Sequence, residues 1–297
     1  MKGKTTSFVG TILLLLLLLV LTPSLIGMKE ASAYNAAVLY TSPAAPFDYD
    51  EYTLSVNTAT TTMSYLMDYG NFQYQYNCYG AQVTSNTMLF LAQYFENNYD
   101  FATVYFKDHD VPWKCIPSCP SNWHFALLDS GSPPNNYVYD RSIWYVTGSK
   151  HDFVFLWACG TAGGSGTAPL IGGYCNWCGV AHGWAYCWTH NANLNIDASN
   201  ETTDSSGQFF LGFQNWSFNY KGETEDGDHT YSEFVTSFYR NLLEDGDNAV
   251  TALNHASLDT LDNQYFSLTR AHNEGYEIGG LLSKMLVFGD GDSYLPS

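Results

Sequence analysis

The sequence predicts an α/β fold with a mainly parallel central sheet flanked by helices. Short apolar runs alternate with longer amphipathic segments, which is the pattern of strands and helices that follow one another around such a sheet. The run Asp152–Ala158 (DFVFLWA) is almost wholly apolar, as expected of a strand buried on both faces. We find no internal repeat or low-complexity linker, so residues 34–297 are predicted to form a single domain.

Two strands and two helices are predicted in the first half of that domain. Ala36–Tyr40 (AAVLY) and Gln73–Asn77 have strand character, and a Thr-rich helix is predicted between them over Tyr52–Tyr69. Ser85–Glu96 repeats its apolar residues at helical spacing, with Ser85 as the expected N-cap.

The second half continues the alternation. Phe101–Lys107 is predicted as the third strand, and Gln208–Tyr220 and Lys284–Phe288 as later ones. Tyr231–Leu243 and Ala249–Leu261 are predicted helices. Three strands therefore precede two consecutive helices and a last strand in this half.

One segment, Gly160–Asn193, fits neither pattern. It is rich in Gly and Trp and contains three of the seven cysteines. It is predicted as a long loop stapled by disulfides, directly after the strand that ends at Cys159. Loops of this length in compact domains are often functional.

The first 33 residues have the order of a secretory signal peptide. Lys2 and Lys4 precede an apolar run over Phe8–Leu21, and Ala31-Ser32-Ala33 supplies a small-x-small cleavage site. We therefore expect cleavage after Ala33 and a secreted or extracytoplasmic protein. If the segment is not cleaved, it would anchor the chain in a membrane.

The charge is strongly acidic, with a formal net charge of −18. The first 33 residues contain three lysines and one glutamate, so residues 34–297 carry −20. Such a surface repels nucleic acid and anionic lipid and attracts cationic substrates. The sequence indicates no oligomeric state.

The seven cysteines point to disulfides and to one remaining thiol. Exported cysteines usually pair, and seven give three pairs and one thiol that is an accident, an intermolecular partner or a nucleophile. Cys159 is the best candidate because it follows a buried strand and has no close cysteine partner in sequence.

A thiol nucleophile requires a base, and His109 is the first candidate. It follows the predicted strand Phe101–Lys107, so it should emerge at the same sheet edge as Cys159. The flanking Asp108 and Asp110 are expected to raise its pKa. His124 is a rival base beside another apolar run. The alternatives are that Cys159 is an inert buried thiol and that His109 lies in a surface loop.

Two further signals lie outside this dyad. Cys175, Cys178, His182, Cys187 and His190 have the spacing of a zinc knuckle, although disulfides are favoured in an exported chain. The 23 Tyr, 18 Phe and 8 Trp could line a sugar-binding surface, but they are scattered in the sequence, which favours core and loop packing.

Four segments resemble caspase-like cysteine peptidases, the group of caspases, legumains, gingipains and CHAT peptidases. Phe153–Gly164 resembles the strand and small-residue tail around their nucleophile, and Tyr105–Asp110 is similar to the legumain strand ending in Asp-His-Gly. Phe234–Leu258 resembles the CHAT and gingipain helix pair, and Leu286–Pro296 their closing strand and Gly-Asp turn. The 50-residue separation of His109 and Cys159 is also close to that of caspases.

The resemblance implies a caspase–hemoglobinase fold and an endopeptidase without a cofactor, acting on proteins or peptides. It implies a dyad of His109 and Cys159, an oxyanion site of backbone N–H groups at Cys159 and Asp110, and a substrate cleft at Trp216 and Ser217. The acidic charge favours Arg or Lys at the P1 position of the substrate, and Asn or Asp at P1 is the alternative. The family has Gly where this chain has Asp110, so an inactive binding module is an alternative, as is a metal-binding export domain.

Overall fold

A computed structural model gives the architecture of the chain. It describes residues 35–41, 49–113, 124–128, 137–162, 183–191, 207–214, 217–221, 228–261, 276–278 and 281–297. The predicted signal segment, residues 1–33, lies outside the described residues. The described part is an α/β fold with a mainly parallel central sheet flanked by helices, as the sequence predicted.

Seven strands form the central sheet. In chain order they are β1 (Asn35–Thr41), β2 (Tyr74–Tyr79), β3 (Phe101–Lys107), β7 (His151–Trp157), β8 (Phe209–Gln214), β9 (Tyr276–Ile278) and β10 (Leu281–Gly289). Their spatial order is β2-β1-β3-β7-β8-β10-β9. The first five in that order are parallel, whereas β10 is antiparallel to both β8 and β9. The middle strands are buried on both faces, which explains their almost wholly apolar sequences.

A second, smaller sheet follows β3 directly. Its antiparallel strands are β4 (Asp110–Trp113), β5 (His124–Leu128) and β6 (Tyr137–Val138), in the order β4-β5-β6. This sheet was not predicted from the sequence.

Helices cover both faces of the central sheet. They are α1 (Tyr49–Asp68), α2 (Ser85–Asn98), α3 (Asp140–Trp144), α4 (Trp184–Thr189), α5 (Tyr231–Leu243) and α6 (Ala249–Leu261). Residues of α1, α5 and α6 pack with one face of the sheet, and residues of α2, α3 and α4 pack with the other. No described helix is both long enough and apolar enough to cross a bilayer.

Most predicted elements are confirmed, several with identical bounds, but two details are wrong. The predicted strand Gln208–Tyr220 ends at Gln214. The N-cap of α2 is Thr84 rather than Ser85, because the Thr84 side chain accepts a hydrogen bond from the backbone N–H of Thr87. In addition, α4 lies within the segment predicted to be a loop.

Candidate active site

The two candidate catalytic residues leave neighbouring parallel strands at the same sheet edge. Strands β3 and β7 pair so that Lys107 lies opposite Trp157, an offset of fifty residues. His109 and Cys159 each follow two residues beyond that pair and are related by the same offset. The carboxyl ends of parallel strands are where ligands bind in open α/β sheets.

The Cys159 thiol is partly buried and contacts Ser217. The backbone N–H of Ser217 donates to Cys159 Sγ at 3.3 Å, and the Ser217 hydroxyl oxygen lies 3.5 Å from the same sulfur. Hydrogen bonds to sulfur stabilise the charged form of a thiol. Ser217, predicted as part of the substrate cleft, therefore lies directly at the candidate nucleophile.

The turn that carries Cys159 is fixed by Thr161. Gly160 has a φ of 64°, a left-handed conformation that glycine adopts without steric cost. The Thr161 hydroxyl donates to the carbonyl oxygen of Ala158 at 2.9 Å and accepts from the N–H of Phe213 at 3.1 Å. These bonds tie the turn to β8. A Cβ on Gly212 would lie 2.8 Å from Thr161 Oγ1, so the close approach requires glycine there.

His109 is held by its neighbour in sequence. The backbone N–H of His109 donates to Asp108 Oδ1 at 2.6 Å. Burial lowers the pKa of His109, the positive charge of Lys107 lowers it further, and Glu51 acts in the opposite direction. The expected rise in the pKa from the flanking carboxylates is therefore wrong in direction. A lowered pKa favours a neutral imidazole, which can accept a proton.

A buried ion pair lies beside the dyad. Lys107 Nζ is 3.1 Å from Glu51 Oε1, and both side chains are buried. Glu51, in the first turn of α1, also accepts from the backbone N–H groups of Tyr220 at 2.8 Å and Lys221 at 3.1 Å. The Lys107 ammonium lies 4.8 Å from the centre of the Tyr220 ring. Glu51 thus fixes the segment that carries Ser217.

A further hydrogen bond holds the same segment. The Trp157 indole N–H donates to the carbonyl oxygen of Phe218 at 2.7 Å. Strand β7 and helix α1 therefore both position residues 217–221. Sequence reasoning missed Glu51 and Thr161. An acidic residue in a first helical turn is common without any site, and a threonine after a strand has no distinctive pattern.

Exposure distinguishes the described thiols. Cys78, Cys159 and Cys187 are all present as thiols in the described residues, so counting cysteines does not single out Cys159. Cys78 and Cys187 are buried, whereas Cys159 is partly exposed. Burial raises the pKa of Cys78 to about 12 and also raises that of Cys187. Of these three thiols, Cys159 is the one that solvent and substrate can reach.

The remaining predicted residues have different positions. Asp110 begins β4 and pairs with Leu127. His124 begins β5 opposite Trp113, in the small sheet rather than at the edge of the central one. Trp216 lies outside the described residues, as do these members of the predicted disulfide or metal set: Cys115, Cys119, Cys175, Cys178 and His182.

The metal alternative keeps two described members. Cys187 is a buried free thiol in α4, and His190 stacks on Trp144 with ring centres 5.3 Å apart. His190 Nε2 also lies 3.0 Å from the carbonyl oxygen of Trp144. The described part of the chain contains no group of three His, Cys, Asp or Glu that could hold a metal ion.

Comparison with solved structures finds distant neighbours of this chain. No family model and no curated protein matches the sequence. The crystal structure of protein GSU0716 from Geobacter sulfurreducens is similar over 86% of this chain and 94% of its own, with a TM-score of 0.43 and 11% sequence identity. A similarity at that level assigns no activity to this chain.

Proposed function

We propose that the chain is an exported cysteine endopeptidase of the caspase-like group, with a caspase–hemoglobinase fold and a dyad of Cys159 and His109. One observation carries the proposal. The register of β3 and β7 brings a partly exposed thiol and a histidine with a lowered pKa to the same edge of the central sheet. A nucleophile and a base at the carboxyl ends of adjacent strands are the parts required for acyl transfer.

The lowered pKa of His109 defines the first step. Neutral His109 accepts the proton of the Cys159 thiol, and the Ser217 N–H stabilises the resulting thiolate. The thiolate attacks the carbonyl carbon of the scissile peptide bond. Backbone N–H groups at Cys159 and Asp110 are the proposed donors to the oxyanion.

The remaining steps return the enzyme to its starting state. Protonated His109 donates its proton to the leaving amine, the C–N bond breaks, and a thioester to Cys159 remains. His109 then removes a proton from water, whose oxygen attacks the thioester carbonyl carbon. The C–S bond breaks, protonated His109 returns the proton to the departing Cys159 thiolate, and the acid product leaves and ionises. The reaction requires no cofactor.

Substrate preference follows from charge. A formal charge of −18 attracts cationic peptides, so we propose Arg or Lys at P1. The segment with Trp216 and Ser217 is the proposed cleft, and the contact between Ser217 and Cys159 supports this proposal.

The proposal is tested with a thiol-reactive peptide probe that carries Arg at P1, followed by mass spectrometry at pH 7. Cys159 should be labelled, and the labelling should fall by about 100-fold or more in His109→Ala, since general-base assistance typically contributes 10²–10⁴-fold. Cys78 and Cys187 serve as internal controls, because buried thiols should react only after unfolding. An otherwise identical probe with Glu at P1 tests the charge preference.

Two results would contradict the proposal that the chain is a peptidase. Labelling that is equal in wild type and His109→Ala would remove His109 from the mechanism. A folded sample in which Cys159 does not react would favour the inactive binding module, for which Asp110 in place of the family's glycine is the supporting feature. Release of zinc on denaturation would favour the metal-binding domain.

A further inference from the structure

Four aromatic rings form a continuous row on the surface between β2 and α2. Consecutive ring centres are 6.1 Å apart from Phe90 to Tyr94, 5.9 Å from Tyr94 to Tyr74, and 6.3 Å from Tyr74 to Tyr76. The Phe90–Tyr94 and Tyr74–Tyr76 pairs are stacked, with interplanar angles of 13° and 19°. We call these four residues the aromatic row.

Much of the aromatic row faces solvent. Phe90 is 65% exposed, Tyr76 38% and Tyr94 36%. Phe90 and Tyr94 are one helical turn apart, and Tyr74 and Tyr76 point to the same face of an edge strand. Tyr74 joins the two stacked pairs: its ring is half-buried against the core and is tilted by 59° to the ring of Tyr94. An exposed apolar patch of this kind marks a binding surface more often than a chance arrangement.

The chain segment that contains the aromatic row has no charged residue. The 25 residues Asn71–Phe95 contain no Asp, Glu, Lys, Arg or His. At the 13% charged content of the chain, a segment of that length would contain about three. Gln93 and Asn97 carry exposed amides, and each lies one helical turn after a ring of the row, Phe90 and Tyr94 respectively. This surface is neutral on a protein of net charge −18.

The exposed rings and the uncharged segment around them indicate which kind of ligand this surface binds. Cationic partners are attracted to the acidic remainder of the protein, and anionic partners are repelled by it. A second copy of this chain would bring another charge of −18 to the contact, which opposes association. The ligand that fits an uncharged aromatic surface is a neutral, elongated and hydroxylated chain. Its ring C–H faces can stack on aromatic rings, and its hydroxyls can bond to amides and to tyrosine hydroxyls.

We propose that the aromatic row binds a neutral polysaccharide, with successive sugar rings stacked along Phe90, Tyr94, Tyr74 and Tyr76. The site is separate from Cys159 and does not depend on the proposed peptidase activity. The aromatic residues are scattered in the sequence, and folding brings these four together.

The test is native gel electrophoresis of the full chain in gels that contain hydroxyethyl cellulose, glycogen or dextran. At least one of these neutral polysaccharides should retard the protein. Phe90→Ala and Tyr94→Ala should each weaken the retardation by about tenfold, on the scale of one lost aromatic contact. Phe90→Tyr, which keeps the ring, should retain it. Tyr294→Ala is the matched control, because Tyr294 is 59% exposed outside the aromatic row.

Three results would overturn the proposal: no retardation by any of the three polymers, equal retardation of Phe90→Ala and wild type, or a change from dimer to monomer in the row variants on size exclusion. The last result would show that a second copy occupies the row. Circular dichroism of each variant checks folding, and unchanged labelling of Cys159 keeps the result independent of the peptidase.

Discussion

The surroundings of His109 set the pH range in which the dyad can act. Burial and the positive charge of Lys107 lower the pKa of His109, whereas Glu51 acts in the opposite direction. A lowered pKa keeps the imidazole neutral over a wider pH range, as a general base requires.

The lowered pKa of His109 predicts a specific pH dependence. Alkylation of Cys159 should fall as the pH drops through a value below 6.5, because protonated His109 cannot accept the thiol proton. We call this fall the acidic limb of the pH profile. In Lys107→Met the acidic limb should move to higher pH, because the positive charge that lowers the pKa of His109 has been removed. The rate of alkylation by iodoacetamide against pH measures the effect.

A remote cation provides the control for that experiment. Arg240, which pairs with Asp259, can be changed to Met without altering the surroundings of His109. An acidic limb that is identical in wild type and Lys107→Met would show that Lys107 does not influence His109.

The Lys107–Glu51 pair also predicts a stability effect. Lys107→Met leaves the Glu51 carboxylate buried without its cation, which should lower the free energy of unfolding by about 3–5 kcal/mol. The double variant Lys107→Met/Glu51→Gln should lose less, because no uncompensated charge remains. Urea unfolding of the three proteins gives the comparison, and a double variant that is less stable than Lys107→Met would contradict it.

At the scale of elements, periodicity explains which parts of the fold could be predicted. Buried strands and amphipathic helices repeat apolar residues at regular spacing, so β3, α5 and α6 were predicted with their observed bounds. Aromatic residues still alternate with polar ones after Gln214 although the strand has ended, because Phe218 and Tyr220 pack in the core beside Trp157. Strand β4 is short and contains Pro112, which weakens its strand signal.

The N-cap of α2 provides a test at this scale. Thr84→Ala should lower the free energy of unfolding by about 1 kcal/mol, because the N–H of Thr87 loses its acceptor. Thr84→Ser keeps that acceptor and should be close to wild type in thermal unfolding. Equal losses in the two variants would point to the threonine methyl group rather than to the cap.

Asp152, near the amino end of β7, predicts a pH-dependent stability. Burial raises its pKa from 3.8 to about 6, so the folded state binds the proton more tightly than the unfolded state, and stability falls as the pH rises from about 4 through 6. Asp152→Asn should therefore be more stable than wild type at pH 7, by about 1–2 kcal/mol after allowance for partial exposure. Near pH 3.5 the two proteins should unfold at the same urea concentration.

The exposed Asp245 is the control for that comparison. Asp245→Asn should differ from wild type by less than about 0.5 kcal/mol at pH 7. Asp152 lies at the opposite end of β7 from Cys159, so alkylation of Cys159 should be unchanged. An Asp152→Asn variant that is less stable at pH 7 would show that the Gln208 contact outweighs the cost of burying the charge.

For the whole molecule, the alternation of apolar and amphipathic segments predicted the fold class and the sheet edge shared by His109 and Cys159. It did not predict the lowered pKa of His109 or the contacts of Glu51, because both depend on groups brought together by folding.

The aromatic residues indicated a core, and many of the described ones supply it, yet Tyr74, Tyr76, Phe90 and Tyr94 form a row at the surface. Such clustering depends on how α2 lies beside β2, which no spacing within one segment records.

The contacts of Glu51 with Tyr220 and Lys221 have a consequence for folding kinetics. They join parts of the chain separated by about 170 residues, and contacts of such long separation form late, because the intervening chain must first become ordered. The contact between Ser217 and Cys159 depends on the same segment. The sheet can therefore assemble while the Cys159 thiol still lacks its Ser217 partner, and the nucleophile would be completed among the last steps of folding.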